Sequence, residues 1–368
     1  MTDTFLDDKQ KISSIDKSNM IGFCVDMAKR CQEAAKIADG ITVSYPKPNN
    51  IIVAGMGGSG IGGDLLKDWA KDKTQVPIEV NRDYHLPAYA NEKTLVLITS
   101  YSGDTEESLS AFLDSLKRKC MIYCICSGGV LLEYAKRLNV PYLQVPAGNP
   151  PRAALPYLFI PLIICLEKLK LVSGVSEELE EALAVLDQVA RDNSPDKLTK
   201  KNLAKSFAMD IECTVPVVYG FGIYRSVAQR FKQQFNENCK VPAKWEFFPE
   251  LDHNEVVGWE KADDLASDFS VIFIRDQNEP LEIRSRIETT MQLMAPSGVD
   301  MYEIYAQGKS DLAKMLSTIC IGDFISVYLA IARGINPTPV KTINTLKDTL
   351  KKNGVKEQII KELGKMAP

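Results

Sequence analysis

Gly55-Met56-Gly57-Gly58-Ser59-Gly60 follows a short apolar run, Asn50–Ala54, and precedes a helical stretch. This G-x-G-x-x-G spacing lets backbone amides close on an anion at a helix N-terminus, where the helix dipole favours negative charge. Glu79, ending the next apolar run about 20 residues on, completes the pattern of a dinucleotide fingerprint. A second junction, Ser100-Tyr101-Ser102-Gly103-Asp104-Thr105, lies between the apolar run Thr94–Thr99 and another helical stretch. A dinucleotide does not need this cluster of hydroxyls. A terminal phosphate does, because each of its three oxygens accepts hydrogen bonds, and Ser59, Ser100, Ser102 and Thr105 with the local amides suit it. The plainest alternative is helix capping, which uses one hydroxyl per helix, whereas these two loops supply four. The glycine loop therefore predicts an anion, and the hydroxyls favour a phosphate.

Three further residues have side chains fit for proton transfer or charge stabilisation. Arg152 follows Pro150-Pro151 at the start of a helix, and its planar guanidinium could serve an oxyanion or simply the surface. Glu237 comes after Phe231 and Phe235 but shares a helical side with Arg230 and Gln233, so spacing alone reads it as a solvated face. His253 stands in the polar stretch Glu250–Glu255, and imidazole is the readiest general acid near neutral pH. The only other histidine, His85, lies in Tyr84-His85-Leu86-Pro87 and reads as structural, so a His-rich metal site cannot be built. The nine cysteines, such as Cys120, Cys124 and Cys126, lack paired ligand spacing and read as reduced thiols of a cytoplasmic protein.

The elements that must hold these residues show in the periodicity. Asn50–Ala54, Thr94–Thr99, Met121–Cys126 and Tyr142–Val145 read as strands, each followed by a helical stretch, the last containing Ala153–Leu169. Alternating strands and helices with apolar strands call for a parallel sheet covered on both faces. From Ser173 to about Lys205 the chain is helical and charged, as a connector would be. The pattern then restarts with strand Val215–Tyr219, the tight loop Gly220-Phe221-Gly222 and a helix from Tyr224 to Asn238. Strands Ser270–Ile274 and Met301–Tyr305 follow, with helices Glu282–Leu293 and Leu312–Arg333. The same order of elements recurs at an offset of 165 residues, from Gly55 to Gly220, which predicts duplicated α/β domains. The expected division is an N-terminal helical segment 1–49, a first domain 50–172, a connector 173–205, a second domain 206–335 and a C-terminal segment 336–368. The second glycine loop carries Tyr224 and Arg225 in place of hydroxyls, and no phosphate is expected there.

At 368 residues the chain has room for about two domains. Its 44 Lys and Arg against 48 Asp and Glu, a net charge of −4, argue against a nucleic-acid partner, which selects a basic face. The longest apolar run, Leu155–Leu166, holds Pro156 and Pro161 and is too short to span a bilayer, so no membrane partner is expected. Met1–Ser18 is polar, without the apolar core of a secretory signal.

Gly57-Gly58-Ser59 together with Ser100 to Glu107 resembles the phosphosugar-binding signature of the sugar isomerase (SIS) family. From about Asn50 to Leu350 the chain is similar to the bifunctional phosphoglucose/phosphomannose isomerases of archaea and bacteria. That similarity includes Pro150-Pro151-Arg152-Ala153-Ala154, Asn236-Glu237-Asn238 and His253-Asn254-Glu255-Val256-Val257-Gly258-Trp259. Family members usually write Ser-Gly-Asn-Thr where this chain has Asp104. The resemblance implies two SIS-type domains, each a flavodoxin-like sandwich of a parallel sheet between helices. It implies aldose–ketose isomerisation of glucose 6-phosphate or mannose 6-phosphate with fructose 6-phosphate, with no cofactor and no metal. Gly58, Ser59, Ser100, Ser102 and Thr105 would hold the phosphate. Glu237 would carry the proton between C1 and C2, and Arg152 would face the enediolate oxygen. His253 would assist ring opening in the site of the partner subunit of a homodimer. A C-terminal lysine completes the set, and Lys347 fits the family's Leu-Lys pattern better than Lys341. The first domain would then hold substrate, with the second supplying Glu237 and His253 across a cleft. Two other functions fit parts of the sequence: a non-catalytic phosphosugar sensor, and an NAD-linked oxidoreductase resting on the glycine loop and Glu79.

Overall fold

The computed structural model describes residues 4–367, so residues 1–3 and 368 of the expected terminal segments lie outside the described residues. The chain divides into two compact units, Lys29–Ser176 with Val340–Pro368, and Met1–Ala28 with Glu177–Pro339.

The first of these units is built on five parallel strands: β1 (Asn50–Ala54), β2 (Ile78–Asn81), β3 (Thr94–Thr99), β4 (Met121–Cys126) and β5 (Tyr142–Gln144), in the order β2-β1-β3-β4-β5. Strands β3 and β4 are buried along their whole length and β1 nearly so, which is why they read as continuous apolar runs. Alternate residues serve opposite faces of the sheet. Ile52, Val96, Ile98, Ile122 and Cys124 join one core cluster with Leu109 and Phe112 of the Glu106–Lys117 helix and Leu131 of the Gly129–Arg137 helix. Ile359 and Leu363 of the Val355–Met366 helix enter the same cluster, so the end of the chain completes this core. The Gly57–Ala70 and Leu155–Lys168 helices pack against each other, and a Cβ at Gly62 would stand 3.2 Å from the carbonyl oxygen of Leu158.

The second unit repeats the plan with four parallel strands: β6 (Val215–Phe221), β7 (Lys244–Phe248), β8 (Phe269–Arg275) and β9 (Asp300–Tyr305), in the order β7-β6-β8-β9. Its centre is the Asp311–Ala332 helix, buried from Leu312 to Ile331 except at Lys314. This helix is long and apolar enough to cross a membrane by composition, yet it is enclosed within the fold. Each fully buried Leu or Ile there contributes about 1.5–3 kcal/mol relative to exposure.

Two strands escaped the periodicity reading. β7 is a half-exposed edge strand, and β2 is a four-residue edge strand paired only to β1, so neither carries the apolar signature of a central strand. The unit boundaries also differ from the segments read in the sequence. The 1–49 segment is divided between the units, most of 173–205 folds into the second, and the chain from Val340 returns to the first. The physical reason is amphipathicity. The charged Val175–Asn193 helix buries Ala182, Leu186 and Val189 as part of a core.

Candidate active site

The loops after β1 and β3 leave the same edge of the first sheet, because the strands are parallel and adjacent. The strand order reverses between them, and such a switch point opens a crevice beyond the strand ends. Each loop runs straight into a helix whose first-turn amides point to that edge. Neither the Gly57–Ala70 helix, with Met56 at its N-cap, nor the Glu106–Lys117 helix, with Thr105 at its N-cap, has a side-chain cap. The hydroxyls are thus not used for capping. They brace the loops instead: Tyr101 N donates to Ser59 Oγ (3.1 Å) from one loop to the other, and within the second loop Ser100 Oγ donates to Thr105 Oγ1 (3.0 Å) and Gly103 N donates to Ser100 Oγ (3.1 Å). Ser102 Oγ accepts from Asp104 N (3.2 Å) and its side chain is exposed at the loop tip.

The same geometry brings Arg152 to the loops. Arg152 lies in the Pro151–Ala154 3₁₀ turn and is buried. A Cβ at Gly58 would stand 2.9 Å from the carbonyl oxygen of Pro151 and 3.2 Å from Arg152 N, so only glycine allows the first turn of the helix to lie against this segment. Tyr101 adds a second link, which sequence reading missed. Its hydroxyl donates to the carbonyl oxygen of Pro146 (2.8 Å) and accepts from Asn149 N (2.9 Å), fixing the approach to Pro150 and Arg152. A polar hydroxyl on a buried ring between two serines was the available signal. Lys347 belongs to the same unit but sits on the Lys341–Leu350 helix, which buries none of its residues; Lys341 is exposed as well.

Glu237 and His253 belong to the second unit. The helix expected from Tyr224 to Asn238 ends as an α-helix at Gln234 and continues as one π turn, Phe235–Cys239. A π turn takes an extra residue per turn, and the solvated-face reading holds only in part along this helix. Arg230 is buried, donating to Asp323 Oδ2 (2.6 Å), while Glu237 is half-buried. The turn is held from both sides. Asn238 Nδ2 donates to Ser326 Oγ (2.9 Å), and Lys240 Nζ donates to the carbonyl oxygens of Glu237 (2.6 Å) and Pro337 (2.9 Å). Lys240, in the left-handed region at φ 58°, was not legible as part of this arrangement.

His253 is exposed at the end of the Glu250–His253 3₁₀ turn, just after β7. Asp252 anchors the turn by accepting from Arg286 (2.7 Å) and Thr290 Oγ1 (3.0 Å). Glu255, accepting from Lys244 (2.7 Å) and the Tyr219 hydroxyl (3.0 Å), anchors the next one. Because the Arg225–Gln234 helix runs back from the end of β6 to the start of β7, Glu237 sits at one edge of the second sheet and His253 at the other. Five residues of β7 separate those edges by about 15 Å. Within one chain, the structure does not bring Glu237 and His253 together.

The dinucleotide reading loses its acidic residue. Glu79 is the second residue of β2, two short of its end, and its carboxylate takes a hydrogen bond from the Tyr89 hydroxyl. Arg82 follows the strand and pairs with Asp64. At the corresponding edge of the second sheet, the Tyr224 hydroxyl donates to Asp276 Oδ2 (2.6 Å) and Lys314 pairs with Asp276 (2.8 Å), so this edge presents a buried carboxylate in an internal ion pair. Burial raises the Cys31 thiol to about 12 and pushes Cys124 well above its ordinary value, and only Cys213 is exposed among the cysteines. Among the described residues no group of three His, Cys, Asp or Glu is placed to hold a metal ion.

Two parallel α/β units, the first with glycine and hydroxyl loops at its switch point, define a SIS-type fold. Residues 200–350 match the family described as bacterial phospho-glucose isomerase C-terminal SIS domain. The chain is 38% identical over 328 residues to a bifunctional phosphoglucose/phosphomannose isomerase of Caldicellulosiruptor bescii, covering 88% of this chain and 97% of that one. It is 35% identical over 306 residues to the Aquifex aeolicus protein of the same name, covering 82% and 91%. The crystal structure of a hypothetical protein from Thermus thermophilus superposes with a TM-score of 0.73 at 15% identity, over 94% of each chain, a likeness of fold. The chain belongs to the bifunctional phosphoglucose/phosphomannose isomerase family.

Proposed function

We propose that this protein is an aldose–ketose isomerase that interconverts glucose 6-phosphate or mannose 6-phosphate with fructose 6-phosphate. The observation that carries the reading is the meeting of the Ser59 loop with the loop of Ser100 and Thr105 at two helix N-termini without side-chain caps, with Ser102 at the loop tip and the segment of buried Arg152 packed beside them. Backbone amides and hydroxyls of that kind suit a phosphate dianion, and a guanidinium close by suits a second developing negative charge.

In this reading Ser59, Ser100, Ser102 and Thr105, with Gly58 letting the loop pack closely, hold the 6-phosphate. After ring opening, Glu237 takes a proton from C1 or C2 and returns it to the other carbon. Arg152 stabilises the oxyanion of the enediolate, as charge preorganised at the site of developing charge lowers the barrier. His253 supports ring opening as general acid and base, and Lys347 completes the set. A general base must come within about 3 Å of the proton it moves. The separation of Glu237 and His253 by the length of β7 therefore supports a homodimer in which His253 serves a substrate held by the second copy.

Removal of the C2 proton makes that carbon planar, and the difference between glucose 6-phosphate and mannose 6-phosphate vanishes in the shared enediolate. Hydroxyls that grip the 6-phosphate do not discriminate at C2. Incubation with fructose 6-phosphate in deuterated water should yield both aldose phosphates with deuterium at C2. Formation of glucose 6-phosphate alone would reduce the assignment to one isomerisation, and absence of both would remove it in favour of a binding protein.

A further inference from the structure

The hydroxyl loop carries a carboxylate, Asp104, between two of the residues assigned to the phosphate, Ser102 and Thr105. A dianion bound there has a like charge for its neighbour, which costs affinity unless that charge is compensated. The compensation comes from the far end of the chain. Lys356 Nζ lies 2.8 Å from Asp104 Oδ1, across 252 residues of sequence. The pair is partly exposed, with side-chain exposure of 25% for Lys356 and 45% for Asp104.

Lys356 is held in place independently of this contact. It belongs to the first turn of the Val355–Met366 helix, whose Ile359 and Leu363 are buried against Leu109, Phe112, Leu131 and Tyr134, and the Tyr134 hydroxyl donates to the carbonyl oxygen of Ile360 (3.3 Å). The loop is equally constrained. Gly103 takes φ +71°, and a Cβ there would stand 1.8 Å from the carbonyl oxygen of Gly128, so the loop is pressed on the Gly128–Val130 turn. Asp104 Oδ1 also accepts a long hydrogen bond from Val130 N (3.4 Å). Its carboxylate is therefore turned towards that turn and towards Lys356.

We propose that Lys356 is a positioning residue for the phosphate loop: from the C-terminal helix it neutralises Asp104 and holds that carboxylate away from the anion gripped by Ser59, Ser100, Ser102 and Thr105. This rests on the phosphate reading above, and the test separates the two.

The variants Lys356→Met, Lys356→Arg, Asp104→Asn and the double variant Asp104→Asn/Lys356→Met are compared by KM and kcat with fructose 6-phosphate and by titration with inorganic phosphate. Lys356→Met should raise KM and the dissociation constant of inorganic phosphate roughly fivefold, the size of an exposed charge interaction, with kcat retained. Lys356→Arg should restore binding. Asp104→Asn should bind at least as well as the parent, and in the double variant the defect should disappear. The defect should also shrink as salt is raised, since screening weakens a charge effect and leaves a packing defect intact. Should Lys356→Met melt early, Lys356→Gln, which keeps a donor and loses the charge, carries the same test. Unchanged binding in Lys356→Met, or a defect that persists in the double variant, would overturn the role of Lys356. A parent protein that binds neither fructose 6-phosphate nor inorganic phosphate would instead overturn the phosphate site itself.

Discussion

Glu237 and Thr105 are both polar residues at helix ends, and their environments give them different work. Glu237 is half-buried on a π turn, and its backbone carbonyl oxygen accepts from Lys240. Thr105 accepts from Ser100 at the mouth of a helix. Substituting Glu237→Gln keeps size and hydrogen bonding but removes the proton acceptor. Isomerisation should fall by at least about a hundredfold, the usual scale of a lost general base, while fructose 6-phosphate still protects the protein in thermal-shift assays. Thr105→Val should do the reverse. Losing a charge-assisted hydrogen bond to phosphate costs roughly 1–3 kcal/mol of binding, seen as a higher KM at similar kcat. Steady-state kinetics on the two variants checks the contrast, and equal losses of kcat in both would contradict the division of roles. The sequence marked both residues as candidates. It did not show the π turn that carries Glu237, which is held by Asn238 on Ser326 and by Lys240 on Pro337.

The glycine stretch acts as an element in a way that its motif does not reveal. Gly58 and Gly62, four residues apart and so on one side of the helix, are the points where the Gly57–Ala70 helix approaches Pro151 and Leu158. The motif reads as an anion loop, yet part of its glycine content serves this close approach. Adding one methyl group at Gly58 forces the Pro151 carbonyl back from 2.9 Å and carries Arg152 with it. Gly58→Ala should destabilise the fold by about 1–3 kcal/mol, as overpacking does. It should also lower kcat more than it raises KM, because Arg152, the proposed oxyanion partner, shifts while the hydroxyls stay. Calorimetric melting and steady-state kinetics test this together, and unaltered kcat would detach Arg152 from the reaction.

At the scale of the whole molecule, two residues of the proposed catalytic set stand on different elements of the second unit. Glu237 and His253 lie at opposite edges of the second sheet, separated by β7. On the proposed homodimer, mixing the Glu237→Gln and His253→Ala variants under subunit exchange should restore part of the activity that each lacks, since one site of each heterodimer regains both intact residues. Silence despite verified exchange would place both groups in a single subunit's site. Duplicated α/β units, the central strands and the residue types of the glycine and hydroxyl loops were legible in the sequence, because buried parallel strands and tight loops are written locally, in runs and spacings of a few residues. Edge strands β2 and β7 were not, since half-exposed strands lose the apolar signature. Only the tertiary structure decided that the C-terminal helix returns to the first core, that Lys356 meets Asp104, that Tyr101 and Gly58 tie the Arg152 segment to the loops, and that Glu237 lies on a π turn. Each of these joins residues far apart in the chain or depends on a packing partner elsewhere in it, and such contacts are set by the burial of whole faces and leave no mark on local periodicity.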